Sequence, residues 1–135
     1  MIKKKETQQP ELEFVILDDL VHSDHLLRYI DGTINFNFIY DKVEHLYSTT
    51  TGRPAIDPVV IFKMFLIQYM YGIKSECQLM KEIQVNVAYR WFLGFKLTDK
   101  IPHSSVFSQN RRRRFTDSSV FQEIFEDIVE QAFKL

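Results

Sequence analysis

Hydrophobic residues recur at helical spacing along most of this chain, and the clearest case lies at its C-terminal end. There the i, i+3, i+4 pattern of an amphipathic helix is followed without a miss by Phe121, Ile124, Phe125, Ile128, Val129, Ala132 and Phe133. No stretch of useful length alternates between apolar and polar residues, as a half-buried strand does. The pattern therefore predicts an all-α fold, a compact domain of several helices.

In the N-terminal half of the chain, the sequence marks the ends of the predicted elements less clearly. The first 13 residues are polar and are expected to be mobile, whereas residues 14–135 are expected to form the domain. Where the two meet, residues 13–17 are predicted to be a short extended or tucked segment. Ser23 is expected to cap a helix whose apolar stripe ends at Ile34, and a second helix is predicted over Phe38 to Tyr47. A connector rich in turn-forming residues follows at 48–54.

The centre of the chain is better marked. Asp57 followed by Pro58 is typical of a helix N-cap and first helical position. The helix predicted beyond them, through Tyr71, is apolar on nearly all sides and is therefore expected to be buried. Ser75 and Asn86 are expected to cap two short helices, at 75–84 and 86–93, with a tight turn between them. This arrangement resembles a helix-turn-helix, although an ordinary helical hairpin explains the same spacing.

Four consecutive arginines lie near the end of the next predicted helix, which Ser104 or Ser105 is expected to cap. A guanidinium group stays charged, and its planar set of donors matches a phosphate group. Cations near a helix C-terminus also offset the helix dipole, but one or two are enough for that role. We therefore expect the helix to contact DNA.

Four consecutive helical residues spread over about 300°, so the arginines cannot share one face. Val106, Phe107 and Phe115 are expected to face the core, which places Arg111 or Arg114 near it, with at least one of them paired with an internal carboxylate. Tyr89 and Arg90 are predicted to lie off the apolar face of helix 86–93. The predicted DNA-binding residues are Arg111, Arg112, Arg113, Arg114, Gln109, Asn110, Arg90, Lys100 and Arg53; Gln109 and Asn110 are the candidates for contact with bases.

The distribution of charge supports this prediction. The formal net charge is only -1, yet residues 53–114 hold eleven Lys and Arg against four Asp and Glu. Residues 11–31 and 115–135 are both acidic. A basic centre with acidic ends is typical of a module that binds a polyanion. Mutual neutralisation of acidic and basic helices within the fold is the alternative interpretation.

The sequence does not indicate a metal-binding, cofactor-binding or catalytic site. Cys77 is the one cysteine, and no apolar run is long enough to span a bilayer, so we expect a soluble, cytoplasmic protein. His22 and His25 lack the further ligands of a zinc site, and no glycine-rich phosphate loop is present. We therefore predict no cofactor, no small-molecule ligand and no catalytic activity for this chain.

Several short segments occur in a characteristic order: Asp-His-Leu-Leu-Arg at 24–28, Thr-Gly-Arg-Pro at 51–54, Gln-Tyr-Met-Tyr-Gly-Ile at 68–73, Tyr-Arg-Trp-Phe-Leu-Gly at 89–94 and the arginine segment at 107–115. With these segments the chain resembles the N-terminal domain of bacterial insertion-sequence transposases of the DDE class. The resemblance implies recognition of double-stranded DNA at terminal inverted repeats, in association with the nucleoid. It also implies a separate catalytic domain that uses Mg²⁺ in the intact enzyme and is absent from this chain, which we expect to be a fragment.

The resemblance is imperfect at two places, one of which is His22, where those transposases usually have a proline. Those transposases usually have Asp-His where this chain has His103 and Ser104, so we expect local hydrogen bonds to be lost there. A second function stays open, in which helix 118–134 and the acidic segments form a homo-oligomer or dock the catalytic domain. Nuclease activity of this chain alone is not expected.

Overall fold

The computed structural model describes residues 1–7, 9–44, 56–115 and 119–133, without the side chains of 110–115 and 133. The helices are α1 (Leu17–Leu20), α2 (Leu26–Thr33), α3 (Phe38–Val43), α4 (Pro58–Met70), α5 (Glu76–Val85), α6 (Val87–Leu93), α7 (Ser104–Phe115) and α8 (Val120–Phe133). These ranges contain no strand, so the all-α prediction is confirmed. The predicted connector at 48–54 lies outside the described residues.

Helix α4 lies at the centre of the fold, as its apolar sequence predicts. Asp57 is its N-cap and accepts a hydrogen bond from the Val59 N–H at 2.8 Å, ahead of Pro58 in the first turn. The helix ends at Met70 with Tyr71 as its C-cap, and Gly72 follows with a φ of +63°, a left-handed conformation that favours glycine. Its buried side chains are Ile61, Phe62, Met64, Phe65, Leu66 and Ile67. Helices α3, α5 and α6 pack around it.

Aromatic rings attach α7 and α8 to this central helix. Phe107 is fully buried, and its ring centroid lies 4.9 Å from that of Phe65. Phe121 stacks on Phe62 at 5.3 Å. Further along α8 the predicted apolar stripe is only partly covered: Ile124 and Ile128 are buried, whereas Val129 and Ala132 are exposed.

A polar node attaches the N-terminal segment to α6. Arg28 donates to the Asp18 carboxylate at 3.1 Å and to the Val21 carbonyl at 2.9 Å. Its guanidinium lies 4.6 Å from the centre of the Trp91 ring, and the Trp91 indole N–H donates to the same Asp18 carboxylate oxygen at 2.9 Å. These contacts hold Asp18 beside α6, in a short helix that the sequence pattern does not predict.

Besides Asp57, two further predicted caps are confirmed, and the predicted cap of α2 is wrong. Ser75 Oγ accepts from the Gln78 N–H at 3.0 Å, and Asn86 Oδ1 accepts from the Tyr89 N–H at 3.1 Å. The cap of α2 is His25 rather than Ser23, because the His25 Nδ1 accepts from the Leu27 N–H at 3.1 Å. An imidazole supplies an acceptor here that residue-type preferences for N-caps do not include.

Burial of Tyr89 predicts a loss of stability in alkali. The side chain is 5% exposed, and this burial, with the nearby Tyr71 and Glu82, raises its pKa from 10.0 to about 12. The folded state therefore holds the phenol proton more tightly than the unfolded state, and the resulting stability is lost as the pH rises from 10 toward 12. We expect the unfolding free energy of Tyr89→Phe, measured in urea over this range, to fall less steeply than that of the wild type. Tyr29→Phe, at an exposed position, is the control and should match the wild type; equal steepness for Tyr89→Phe would contradict the argument.

Candidate nucleic-acid interface

Helix α7, which carries the four arginines, is capped by His103. The His103 Nδ1 accepts from the Ser105 N–H at 3.1 Å and lies 2.8 Å from the Ser105 hydroxyl. Its carbonyl accepts from the Val106 N–H at 3.0 Å. The prediction of a serine cap is therefore wrong. His103 occupies the position of the usual aspartate and supplies an acceptor of its own, so the expected loss of the capping hydrogen bond does not occur.

One buried ring and one hydrogen bond hold the first half of α7 against the fold. Phe107 inserts beside Phe65 of α4, and the Ser108 hydroxyl donates to the Glu76 carboxylate on α5. Val106 was expected to face the core but is 42% exposed, whereas the neighbouring Phe107 is fully buried. Gln109 is exposed.

The predicted site residues divide into two groups. Gln109 on α7 and Lys100 in the segment between α6 and α7 are both exposed. The backbone of Arg111–Arg114 lies in α7, but these four side chains, the side chain of Asn110 and all of Arg53 lie outside the described part of the chain. The pairing of Arg111 or Arg114 with an internal carboxylate therefore stays a prediction.

Arg90 does not lie on the surface as predicted. It is 7% exposed, and its guanidinium donates to the Gln84 carbonyl at 3.1 Å, the Lys96 carbonyl at 2.7 Å and the Asp99 carbonyl at 3.0 Å. Among the described residues, the acceptors of its hydrogen bonds are all backbone carbonyls, so the Arg90 guanidinium is held inside the fold rather than presented to a phosphate. Helical periodicity missed this role because it treats every arginine as a solvent-facing residue.

Helix α6 also lacks the surface of a recognition helix. A single residue, Asn86, is both the C-cap of α5 and the N-cap of α6, whereas the tight turn was predicted at Gln84 and Val85, which lie in α5. Five of the seven side chains of α6 are buried: Ala88, Tyr89, Arg90, Phe92 and Leu93. A recognition helix needs several exposed side chains to reach base edges. The helix-turn-helix interpretation is therefore not confirmed, and α7 is the better candidate for contact with DNA.

Part of the basic charge of residues 53–114 is used inside the fold. Lys63 donates to the Phe92 carbonyl at 3.0 Å, lies 4.7 Å from the centre of the Phe92 ring and pairs with Asp31 at 3.5 Å. Together with Arg90, it is removed from the surface. Among the described side chains, the exposed cations of this segment are Lys74, Lys81, Lys96 and Lys100. The Lys63–Asp31 pair shows that neutralisation between basic and acidic segments occurs, but at a single described position of the basic segment.

Two further features bear on the kind of site. Within the described ranges, no three His, Cys, Asp or Glu side chains are grouped so that they could hold a metal ion. The helices described here are also too short or too polar to cross a membrane.

A comparison with protein families places most of the chain in a known family. The model described as Transposase domain (DUF772) matches residues 15–113, a range that runs from the N-terminal segment before α1 into the arginines of α7. No curated protein matches the chain, and no solved structure does.

The His103 cap predicts a specific order of stabilities. Replacing an N-cap acceptor by alanine costs roughly 0.5–2 kcal/mol, so His103→Ala should lower the unfolding free energy by about 1 kcal/mol. His103→Asp should be at least as stable as the wild type, because a carboxylate both caps the helix and interacts favourably with its dipole. Ser104→Ala is the control for the rejected serine cap. A larger loss for Ser104→Ala than for His103→Ala, in urea unfolding at neutral pH, would show that the cap is misassigned.

The carbonyl contacts of Arg90 predict a larger effect. Arg90→Met keeps the length of the side chain but leaves three buried or half-buried carbonyl groups without their donor, so we expect a loss of about 3 kcal/mol in unfolding free energy. Lys81→Met, an exposed cation on α5, should change stability by less than about 0.5 kcal/mol. Equal stability of the two variants would rule out the structural role of Arg90.

Proposed function

Because this chain belongs to the transposase domain family DUF772, whose model matches residues 15–113, we propose that it binds double-stranded DNA through α7. The observation that carries the proposal is the placement of four consecutive arginines in a helix whose exposed side is marked by Gln109. The target proposed is the terminal inverted repeats of a mobile element.

Helical spacing supports a division of labour among the arginines. Arg112 and Arg113 follow the exposed Gln109 by three and four residues, so we propose that they share its side of α7. Arg111 follows the buried Phe107 by four residues, so we propose that it lies toward the fold. We accordingly assign phosphate contacts to Arg112 and Arg113 and base contacts to Gln109 and Asn110.

The distribution of exposed charge supports the same orientation. Helix α7 packs against α5, which carries the exposed Lys81. Helix α8, which packs against α2 and α3, exposes Glu123, Glu126 and Glu130. A duplex is repelled by carboxylates, so the side of the molecule that carries α5 and α7 is the favoured one for DNA.

The remaining parts of the proposal concern the class of enzyme. We propose that the chain represents the N-terminal, DNA-binding portion of a DDE-class transposase and does not itself cleave DNA. Strand transfer with Mg²⁺ would belong to the intact enzyme. No step proposed here involves a metal ion, and the described side chains offer no cluster to hold one.

A second function is favoured by one observation on α8. Val129 and Ala132 belong to its predicted inward stripe but are exposed, beside the acidic residues of the same helix. This surface suits contact with another protein better than contact with DNA, and it is available for docking a catalytic domain or a second copy of the chain.

Salt dependence tests the DNA-binding proposal. Each cation that neutralises a phosphate contributes about -0.9 to the slope of log K against log salt concentration, so four contacts give about -3.6. Arg112→Gln combined with Arg113→Gln should make the slope shallower by about 1.8, measured by fluorescence anisotropy with a short duplex. Lys42→Gln, on α3 away from the proposed surface, should keep the wild-type slope, and circular dichroism checks that the variants are folded. The proposal would be refuted if the wild type did not bind the duplex at low salt, or if its affinity did not change with salt concentration.

A further inference from the structure

The segment between α6 and α7 contains a tight turn, which two hydrogen bonds between Lys96 and Asp99 hold together. The Asp99 N–H donates to the Lys96 carbonyl at 3.1 Å, and the Asp99 carboxylate accepts from the Lys96 N–H at 2.8 Å. Leu97 and Thr98 occupy the two central positions, and both are exposed. The turn leads through Ile101 and Pro102 to His103, so it lies directly before the start of α7.

The peptide groups of this turn are oriented asymmetrically. The carbonyls of Lys96 and Asp99 accept hydrogen bonds from the buried Arg90, at 2.7 and 3.0 Å. The N–H groups of Leu97, Thr98 and Lys100 have no hydrogen-bond partner among the described residues. A turn that directs carbonyls to a buried cation and leaves successive N–H groups at the surface has the arrangement of an anion-binding nest.

The charges around the turn favour an anion as well. Lys96 and Lys100 are exposed at its two ends. Beneath it, the guanidinium of Arg90 donates only to neutral backbone carbonyls among the described residues, and it carries a third positive charge. Asp99 is the one acid of the turn, which leaves three cations against a single carboxylate.

We propose that the Lys96–Lys100 turn binds a backbone phosphate of the DNA duplex, next to the contacts made by α7. The N–H groups of Leu97 and Thr98 donate to the phosphate oxygens, and the ammonium groups of Lys96 and Lys100 neutralise its charge. Arg90 acts from below by holding the turn's carbonyls away from the phosphate. The inference rests on the proposed function, because it places the duplex on the α7 side of the molecule.

The lysine contribution is tested with the same short duplex. Lys96→Gln and Lys100→Gln should each make the salt slope shallower by about 0.9, and the double variant by about 1.8. Lys42→Gln is the matched control and should leave the slope unchanged. If the wild type binds, and loss of Arg112 and Arg113 weakens it, but the turn variants keep the wild-type slope, the inference is wrong while the proposed function stands.

The amide contribution is tested without DNA, so that failure of duplex binding does not decide it. Titration of the wild type with inorganic phosphate should shift the NMR amide signals of Leu97, Thr98 and Lys100, and the Lys96→Gln/Lys100→Gln variant should weaken this response. Leu97→Pro removes one donor that makes no internal hydrogen bond, at a turn position that accepts proline; Leu97→Ala removes the same side chain but keeps the N–H. We expect the shift at Thr98 to be smaller in Leu97→Pro than in Leu97→Ala. Equal responses of the two variants, or shifts spread evenly over all exposed amides, would overturn the inference.

Discussion

Three cations converge on α6, and the candidate DNA-binding surface depends on them. Arg28 stacks on Trp91, and Lys63 donates to the Phe92 carbonyl. Arg90 is a residue of α6 itself, and its guanidinium donates to three backbone carbonyls. A seven-residue helix is too short to be stable alone, so its position has to be fixed by tertiary contacts. These contacts join the N-terminal segment, the central helix α4 and the turn that leads into α7.

Backbone carbonyls, rather than carboxylates, receive most of these hydrogen bonds. Burying a cation is costly unless its donors are satisfied, and carbonyl groups at helix ends and in turns are acceptors that would otherwise be unpaired. A cation that is bound by neutral carbonyl groups keeps the positive electrostatic potential around it, because these groups carry no negative charge to cancel it. Arg90 therefore stabilises the fold and at the same time adds positive potential beneath an exposed turn with two lysines.

Much of the fold follows from local sequence. The period of apolar residues predicted α4 and α8, Asp57 and Pro58 predicted where α4 begins, and Ser75 and Asn86 were correctly identified as caps. These features depend on neighbouring residues alone. The caps of α2 and α7 were missed because a histidine supplies each one, and an imidazole becomes a cap only when its ring is held over the first turn.

The candidate site was less predictable, and Arg90 shows why. From the sequence, Arg90 was predicted to be a surface cation. Neither its residue type nor its position in the helix indicates that the carbonyls of Gln84, Lys96 and Asp99 come together around its guanidinium. Periodicity placed Val106 and Val129 in the core, but their side chains are 42% and 37% exposed, because helical spacing does not show how much of a helix face its neighbours cover.

The sequence by itself determined that the chain is helical, that α4 is buried and that basic residues concentrate in the middle of the chain. Each of these follows from composition and spacing, which act over a few residues. Only the tertiary structure decided which cations are buried and which stay at the surface, because that depends on acceptors from distant segments. It also decided that the turn before α7 presents its N–H groups outward, since the buried guanidinium of Arg90 fixes the direction of its carbonyls.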